Sequence, residues 1–170
     1  MRAQVAALLL AAATLAGCAG FEPLYAHGSG ISPALARVAV AAPDTRTGQL
    51  IREELEDELG ASAAEGPPQY RLVVDVDQRR FSRGLRIDDT ANRYELRLTV
   101  SYRLFDAATG ALVSAAAEPV YVTYDVADQP YAGVAAHLDG EERAAGEAAR
   151  LIRENLARLF HARLAAAPAS

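Results

Sequence analysis

Two stretches of the chain alternate between apolar and polar residues with the period of two that is typical of β-strands. The clearer stretch covers residues 94–105, and the other begins at residue 70 and continues to residue 77. Because every second side chain is apolar, each predicted strand buries one face and leaves the other in water. Residues 111–124 follow a predicted turn at residues 106–110 and form a partner strand, in which Pro119 marks a bulge or a sheet edge.

Apolar residues recur with helical spacing in two further segments. The first ends at Leu59, before the stop signal Gly60, and Asp44, Thr45 or Thr47 can cap its start. The second segment is predicted to begin at residue 139, where an Asp is followed three positions later by a Glu in the manner of a capping box, and to end near residue 164.

A short apolar run at residues 37–42 predicts one more strand before the first helix, which gives the order β-α-β-β-β-α. Two amphipathic helices covering one face of a four-stranded, mainly antiparallel sheet would bury every apolar stripe. The sequence therefore predicts an α+β two-layer sandwich. We assign residues 35–165 to this single domain and residues 166–170 to a disordered tail.

The N-terminus has the pattern of an export signal. Arg2 precedes an apolar run that is shorter than the roughly 20 residues needed to cross a bilayer. The run ends in Leu15, Ala16, Gly17 and Cys18, which resembles the bacterial lipobox, where diacylglycerol is attached to the Cys thiol and the signal is cut just before it. Residues 1–17 are thus predicted as a lipoprotein signal peptide and residues 18–34 as a lipidated tether. The alternative is that Cys18 is an incidental residue near an ordinary cleavage site.

Acylation at Cys18 would hold the mature protein on a membrane, because two or more acyl chains anchor a protein for long periods whereas one binds only marginally. Ala19 follows the cysteine, which resembles the outer-membrane sorting class of Gram-negative lipoproteins. The predicted location is the periplasmic face of the outer membrane.

Composition narrows the function classes. The 170 residues carry a net charge of −5, so a nucleic-acid-coating role is not indicated. One Cys excludes an internal disulfide, and together with three His it supplies too few ligands for the usual Cys/His zinc cluster. Motifs for hydrolases, metalloproteases and phosphate-binding loops are absent from the sequence. We expect neither enzymatic activity nor a cofactor or metal.

One local cluster departs from this acidic background. Residues 71–103 hold eight Arg against five acids, and four of these arginines fall in the predicted loop after the second strand: Arg79, Arg80, Arg83 and Arg86. Guanidinium groups suit phosphate oxygens, and Phe81 and Leu85 add apolar surface, so a phosphorylated amphiphile would match both features. The alternative is that the arginines merely solubilise a hairpin tip or pair with nearby acids, namely Asp75, Asp77, Asp88 and Asp89.

Three groups of short segments carry a resemblance to a known family. Residues 18–25, CAGFEPLY, resemble a lipidated opening of Cys-Gly-Phe followed by Pro-Leu-Tyr, with Ala19 inserted, which is found in the LptE family of lipopolysaccharide-assembly lipoproteins. Residues 93–96, 102–106 and 109–110 are similar to its long third strand and turn. Residues 124–125 and 129–132 are similar to the loop before its last helix.

The resemblance implies a non-enzymatic role at the inner leaflet of the outer membrane. Such proteins plug the lumen of the LptD β-barrel, assist its assembly and bind lipopolysaccharide on its way to the cell surface. The family carries no strict motif for lipopolysaccharide, so the assignment of that ligand to the four arginines is a separate hypothesis. Three other functions stay open: an auxiliary subunit of another envelope lipid transporter, a lipid-anchored periplasmic enzyme and a purely structural lipoprotein.

Overall fold

The computed structural model describes residues 31–85, 91–126 and 130–166. The elements, in chain order, are α1 (Ile31–Ala36), β1 (Val38–Ala41), α2 (Arg46–Leu59), a single 3₁₀ turn (Ala61–Ala63), β2 (Tyr70–Leu85), β3 (Ala91–Asp106), β4 (Leu112–Asp125) and α3 (Pro130–Ala166). The predicted signal peptide, Cys18, most of the predicted tether, Arg86 and residues 167–170 lie outside the described residues.

The four strands form one sheet in the order β1-β2-β3-β4. β1 pairs with β2 in parallel, and α2 makes the crossover between them. β2, β3 and β4 form an antiparallel meander, so each strand lies beside its neighbour in sequence. The predicted α+β fold with a mainly antiparallel four-stranded sheet is confirmed.

α2 begins and ends where the sequence indicates. Thr45 caps the helix, because its Oγ1 accepts a hydrogen bond from the backbone N–H of Gly48 at 3.1 Å. Gly60 ends the helix in the left-handed region, with a φ of 71° that costs glycine little. Ile51 and Leu55 are completely buried on the face toward the sheet.

α3 begins at Pro130, so the predicted start at Asp139 was wrong. Proline suits the first position of a helix, because it lacks only an N–H that would have no intrahelical partner there. Asp139 lies inside the helix, and its Oδ2 accepts a hydrogen bond from Nε of Arg143 at 2.9 Å. The buried stripe of α3 is rich in small residues and comprises Ala144, Ala145, Ala148, Ala149, Ile152, Leu156, Ala157 and Phe160.

A further short helix, α1, occupies residues that the sequence assigns to the tether and its loop. Leu35 explains why this segment joins the domain, because its side chain is only 2% exposed and belongs to the main core.

The helices cover one side of the sheet. The strand residues buried on that side are Val38 of β1, Leu72 and Val74 of β2, Leu96, Leu98, Val100, Tyr102 and Leu104 of β3, and Val120 and Tyr124 of β4. The opposite side, called the open face below, carries the alternate residues of the same strands, and no described element packs on it. One sheet thus presents an apolar inner side and a polar open face, as the period-two pattern predicts.

Candidate functional site

The predicted arginine cluster lies mostly on a strand. β2 continues to Leu85, so the prediction of a loop at Arg79, Arg80 and Arg83 was wrong. Strand geometry sends alternate side chains to opposite sides, so Arg79 and Arg83 point to the open face and Arg80 to the helix side. There the Arg80 guanidinium lies 4.8 Å from the centroid of the Tyr94 ring. Arg80 therefore does not share a patch with Arg79 and Arg83, and Arg86 lies outside the described residues.

The structure instead assembles a different group on the open face. We call it the open-face cluster, and it comprises Arg79, Phe81 and Arg83 of β2, Glu95 and Arg97 of β3, and Tyr121 of β4. The strand register places Arg97 directly opposite Arg79 on one side and Tyr121 on the other. The Arg97 guanidinium carbon lies 4.9 Å from the centroid of Phe81 and 5.1 Å from that of Tyr121. Two aromatic rings thus flank one cation.

All three arginines of the cluster contact carboxylates, and the contacts of Arg79 and Arg83 are the shorter ones. Arg83 donates to both oxygens of Glu95, from Nη2 to Oε1 at 2.7 Å and from Nε to Oε2 at 3.1 Å. The hydrogen bond from Arg83 is the main reason why the pKa of the Glu95 carboxyl lies below its ordinary value. Arg79 Nε lies 3.2 Å from Oδ2 of Asp77, with both side chains well exposed. The alternative interpretation, in which the arginines pair with nearby acids, therefore holds for Arg79 and Asp77. Arg83 also pairs with an acid, but its partner is Glu95, which that interpretation does not include.

Arg97 is less well satisfied than its neighbours. Its Nε is buried and finds no hydrogen-bond partner among the described residues. Its Nη2 lies 3.4 Å from Oε1 of Glu95, an atom that Arg83 already contacts at 2.7 Å. A guanidinium offers five N–H donors in a planar fork, so Arg97 retains donors for an external acceptor.

A second polar cluster lies on the helix side of the sheet. Glu141 of α3, whose side chain is 8% exposed, accepts hydrogen bonds from Nε2 of Gln78 at 2.7 Å and from Nε of Arg46 at 3.2 Å. Thr47 Oγ1 donates to Oε1 of Gln78 at 2.6 Å, and His137 Nε2 lies 3.4 Å from Glu141 Oε1. These contacts join α2, β2 and α3, so the cluster fixes the helices on the sheet.

A groove of about 690 Å³ runs between α1, the end of α2 and α3. Asp57 and Glu58 contribute carboxylates to its wall, and Arg153 lies with its Nε 3.6 Å from Oε2 of Glu58. Across the three described ranges, no three His, Cys, Asp or Glu side chains gather as metal ligands would. Nor does any helix in those ranges have the length and apolar character needed to span a bilayer.

Sequence reasoning singled out Phe81 but missed Arg97 and Tyr121. Each residue lies in a strand that the alternation predicts, at a position on the polar side of that strand. This position is the sequence signal that places Arg97 and Tyr121 on the open face. Their contact depends on the pairing of β3 with β4, which brings together residues distant in sequence.

Comparison with known proteins bears on the whole domain. The family described as LptE, lipopolysaccharide-assembly, matches residues 35–164. A crystal structure of a Caulobacter crescentus CB15 protein, described as a lipoprotein, shares 46% identity, covers 82% of this chain and 99% of its own, and superimposes with a TM-score of 0.69. An uncharacterised lipoprotein B from Nitrosomonas europaea shares 17% identity over 76% of this chain and 84% of its own, with a TM-score of 0.51, and shows the same fold. A search of curated proteins finds no match.

Proposed function

Since the chain belongs to the LptE family of lipopolysaccharide-assembly proteins, we propose that it works in the outer membrane as partner and plug of an LptD-type β-barrel. In that role it assists assembly of the barrel and binds lipopolysaccharide during delivery to the cell surface. The observation that carries the proposal is the extent of the family match, because residues 35–164 include all four strands and nearly the whole of α3. The family is non-catalytic, and we propose the same for this chain.

Membrane attachment is proposed through acylated Cys18. The lipobox-like sequence before it and the description of the Caulobacter crescentus protein as a lipoprotein both support this chemistry. Each buried methylene of an acyl chain contributes about 0.8 kcal/mol, so several chains on one residue would keep the domain at the membrane surface. The location proposed is the periplasmic face of the outer membrane.

The surface of the sheet suits a polar barrel lumen. Lumen walls of outer-membrane barrels are polar, so a plug has no need of a large apolar patch. The open face carries both signs of charge, for example the exposed pair of Arg93 and Asp125, whose Nε and Oδ1 are 2.7 Å apart. Such a face can exchange water for polar groups of a barrel wall.

Lipopolysaccharide binding is proposed for the four arginines of the sequence hypothesis, Arg79, Arg80, Arg83 and Arg86. Arg79 and Arg83 are accessible on the open face. Reversing all four to Glu is expected to weaken binding of purified lipopolysaccharide by tenfold or more. The matched control reverses four exposed arginines of α3, Arg143, Arg150, Arg158 and Arg163. It changes the net charge equally, so an equal loss in both variants would remove the assignment.

Affinity purification of the full-length chain from solubilised membranes tests the proposed partner. We expect an LptD-type barrel to co-purify in stoichiometric amount and mass spectrometry to find diacylglycerol on Cys18. The Cys18→Ser variant serves as the control for the lipid, because it lacks the thiol and should carry no diacylglycerol. Recovery of an inner-membrane ATPase complex in place of a barrel would favour the auxiliary-transporter alternative and overturn the proposal.

A further inference from the structure

We propose that Arg97, flanked by Phe81 and Tyr121 and opposed by Arg79, binds the phosphate monoester of an amphiphile on the open face. This site deepens the proposed function and rests on it for the identity of the natural ligand. Its central residue, Arg97, lies outside the four arginines considered above.

The position of Arg97 makes it the centre of the site. Arg97 lies on β3, between β2 and β4, and contacts a ring from each of these neighbouring strands. The rings restrict the guanidinium to one place and shield one of its nitrogens, since Nε is buried although 41% of the side chain is exposed. A cation held in place in this way loses little conformational freedom on binding an anion.

Arg97 has donors left for a ligand. Its Nε is buried without a partner in the described part of the chain, so an incoming anion would meet the Nη1 and Nη2 donors of the partly exposed guanidinium. Glu95 occupies only part of this capacity, because its Oε1 accepts from Nη2 of Arg97 at 3.4 Å and from Arg83 at the shorter 2.7 Å. The pairing with Arg83 also neutralises the carboxylate nearest to Arg97, which lowers its repulsion of an incoming anion.

Charge decides which anion fits. Arg79 is the direct cross-strand partner of Arg97, and like charges in that arrangement repel each other. The exposed pair of Arg79 with Asp77 and the 3.4 Å contact of Arg97 with Glu95 offset only part of that repulsion, because Glu95 is shared with Arg83. An anion between the two guanidinium groups would remove the repulsion, and a phosphate monoester carries nearly two negative charges and three acceptor oxygens at neutral pH. A carboxylate has one charge and two oxygens. Two cations side by side therefore favour phosphate.

The aromatic walls indicate what carries the phosphate. Phe81 is 37% exposed and Tyr121 is 57% exposed, although both are large hydrophobic side chains. Apolar parts of a ligand that cover these rings would gain binding energy from the area removed from water. A free phosphate ion cannot do so. The site should therefore bind a phosphorylated amphiphile more tightly than inorganic phosphate.

The test uses the full-length lipidated chain in uncharged maltoside micelles. The Arg97 Nε–Hε NMR signal is followed during titration with dodecyl phosphate, with inorganic phosphate and with diphosphorylated or dephosphorylated lipid A. We expect dodecyl phosphate and phosphorylated lipid A to shift this signal, and dodecyl phosphate to bind at least tenfold more tightly than inorganic phosphate. Equal affinity for dodecyl phosphate and inorganic phosphate would overturn the proposal.

Variants separate the site from general electrostatic attraction. Arg97→Gln should weaken dodecyl phosphate binding by tenfold or more, whereas Arg103→Gln removes an equal charge from the same strand and face and should leave it within twofold. Arg79→Gln provides a second test if the Arg97→Gln variant does not fold, because Arg79 lies at an exposed position. This variant should weaken dodecyl phosphate binding severalfold. Equal affinities in the Arg79, Arg97 and Arg103 variants would overturn the proposal.

The outcomes for the site and for the proposed function are distinguishable. If the chain binds lipopolysaccharide and co-purifies with the barrel while Arg97→Gln binds dodecyl phosphate normally, the site is refuted and the function stands. If no barrel co-purifies but dodecyl phosphate binding still depends on Arg97, the proposed function is refuted and the site stands.

Discussion

Glu141 of α3 accepts a hydrogen bond from Nε2 of Gln78 on β2, with 2.7 Å between the two heavy atoms. The two residues are 63 positions apart in the chain, so this contact ties the long helix to the sheet. The Glu141 side chain is only 8% exposed, and its other oxygen lies 3.2 Å from Nε of Arg46. A buried carboxylate of this kind is tolerated because its partners replace the water that it has lost.

Removing this carboxylate should destabilise the fold. Glu141→Ala leaves Nε2 of the half-buried Gln78 without its acceptor, and a donor left unsatisfied away from water costs about 1–3 kcal/mol, with the lower end expected at a half-buried position. We expect urea unfolding at pH 7 to show a loss in that range. Glu142→Ala is the matched control, because it removes an exposed carboxylate one position along the same helix and should change stability by no more than about 0.5 kcal/mol. Equal effects of the two variants would contradict a structural role for Glu141.

Two helical glycines should respond in opposite directions to the same substitution. A Cβ at Gly146 would lie 3.4 Å from Oε2 of Glu54, the end of a flexible side chain, so Gly146→Ala should gain up to about 1 kcal/mol of helix propensity. A Cβ at Gly48 would lie 2.2 Å from the backbone oxygen of Pro43, so Gly48→Ala must displace the chain and should cost about 1–3 kcal/mol. Thermal unfolding of both variants measures the sign of each change in stability. Stabilisation by Gly48→Ala would contradict the packing argument.

The elements that the sequence predicted best are those whose burial follows directly from side-chain spacing. β3 alternates cleanly, and α2 combines an apolar stripe with a cap at Thr45 and a stop at Gly60. Each signal is local, so no knowledge of distant contacts was needed. The start of α3 also carries a local signal, Pro130 at the first helical position, whereas the capping-box pattern at Asp139 predicts a later start.

The alternation does not reveal the second half of β2, because polar residues occupy both of its sides. Gln78 points toward the helices, where an apolar residue would have continued the alternation, and it is accommodated there by Glu141 and Thr47. Those partners come from α2 and α3, so no window of sequence around Gln78 could reveal them. The loop predicted at the arginines follows from this lack of alternation.

The contacts of the open-face cluster could not be predicted from the alternation, because they depend on the register in which β3 pairs with β4. The alternation establishes that Arg97 and the odd-numbered residues of β4 share a side, but it leaves open which of them is its neighbour. The turn geometry and an irregularity between Leu104 and Phe105 bring Tyr121 opposite Arg97. Turn length and bulges of this kind are poorly readable from composition alone.

The carboxylate of Asp106 should make the β3–β4 turn sensitive to acid. Its Oδ1 accepts from the backbone N–H of Thr109 at 2.8 Å and from that of Ala108 at 3.1 Å. These bonds, with the one from Thr109 as the largest cause, lower the pKa of Asp106 below its ordinary value. Because the folded-state pKa is lower than the unfolded one, the stabilisation is complete above the unfolded pKa of about 3.9 and is lost as pH falls through the folded value.

Asp106→Asn should therefore differ from the parent chain most at neutral pH, and the difference should shrink below about pH 4. Urea midpoints of both proteins at several pH values measure it, and an NMR titration of the Asp106 carboxyl locates its pKa directly. Thr109→Val removes only the hydroxyl donor, which contacts Oδ1 at 2.8 Å, and should raise that pKa while leaving it below the ordinary value. A stability offset that is identical at pH 7 and pH 3 would contradict the assignment.

Pro119 should protect the free edge of the sheet. β4 is an edge strand, and no other described strand lies beyond it. Exposed strand edges pair with other chains unless they are interrupted, and proline interrupts them because it has no N–H to donate. Pro119→Val supplies that N–H and a residue with high β propensity, so we expect concentration-dependent dimers in sedimentation velocity of the detergent-solubilised chain. Ala117→Val is the matched control, because it adds the same side chain on the same strand without a new donor. Dimers of equal strength in both variants would show that apolar contact, and not the missing N–H, governs association.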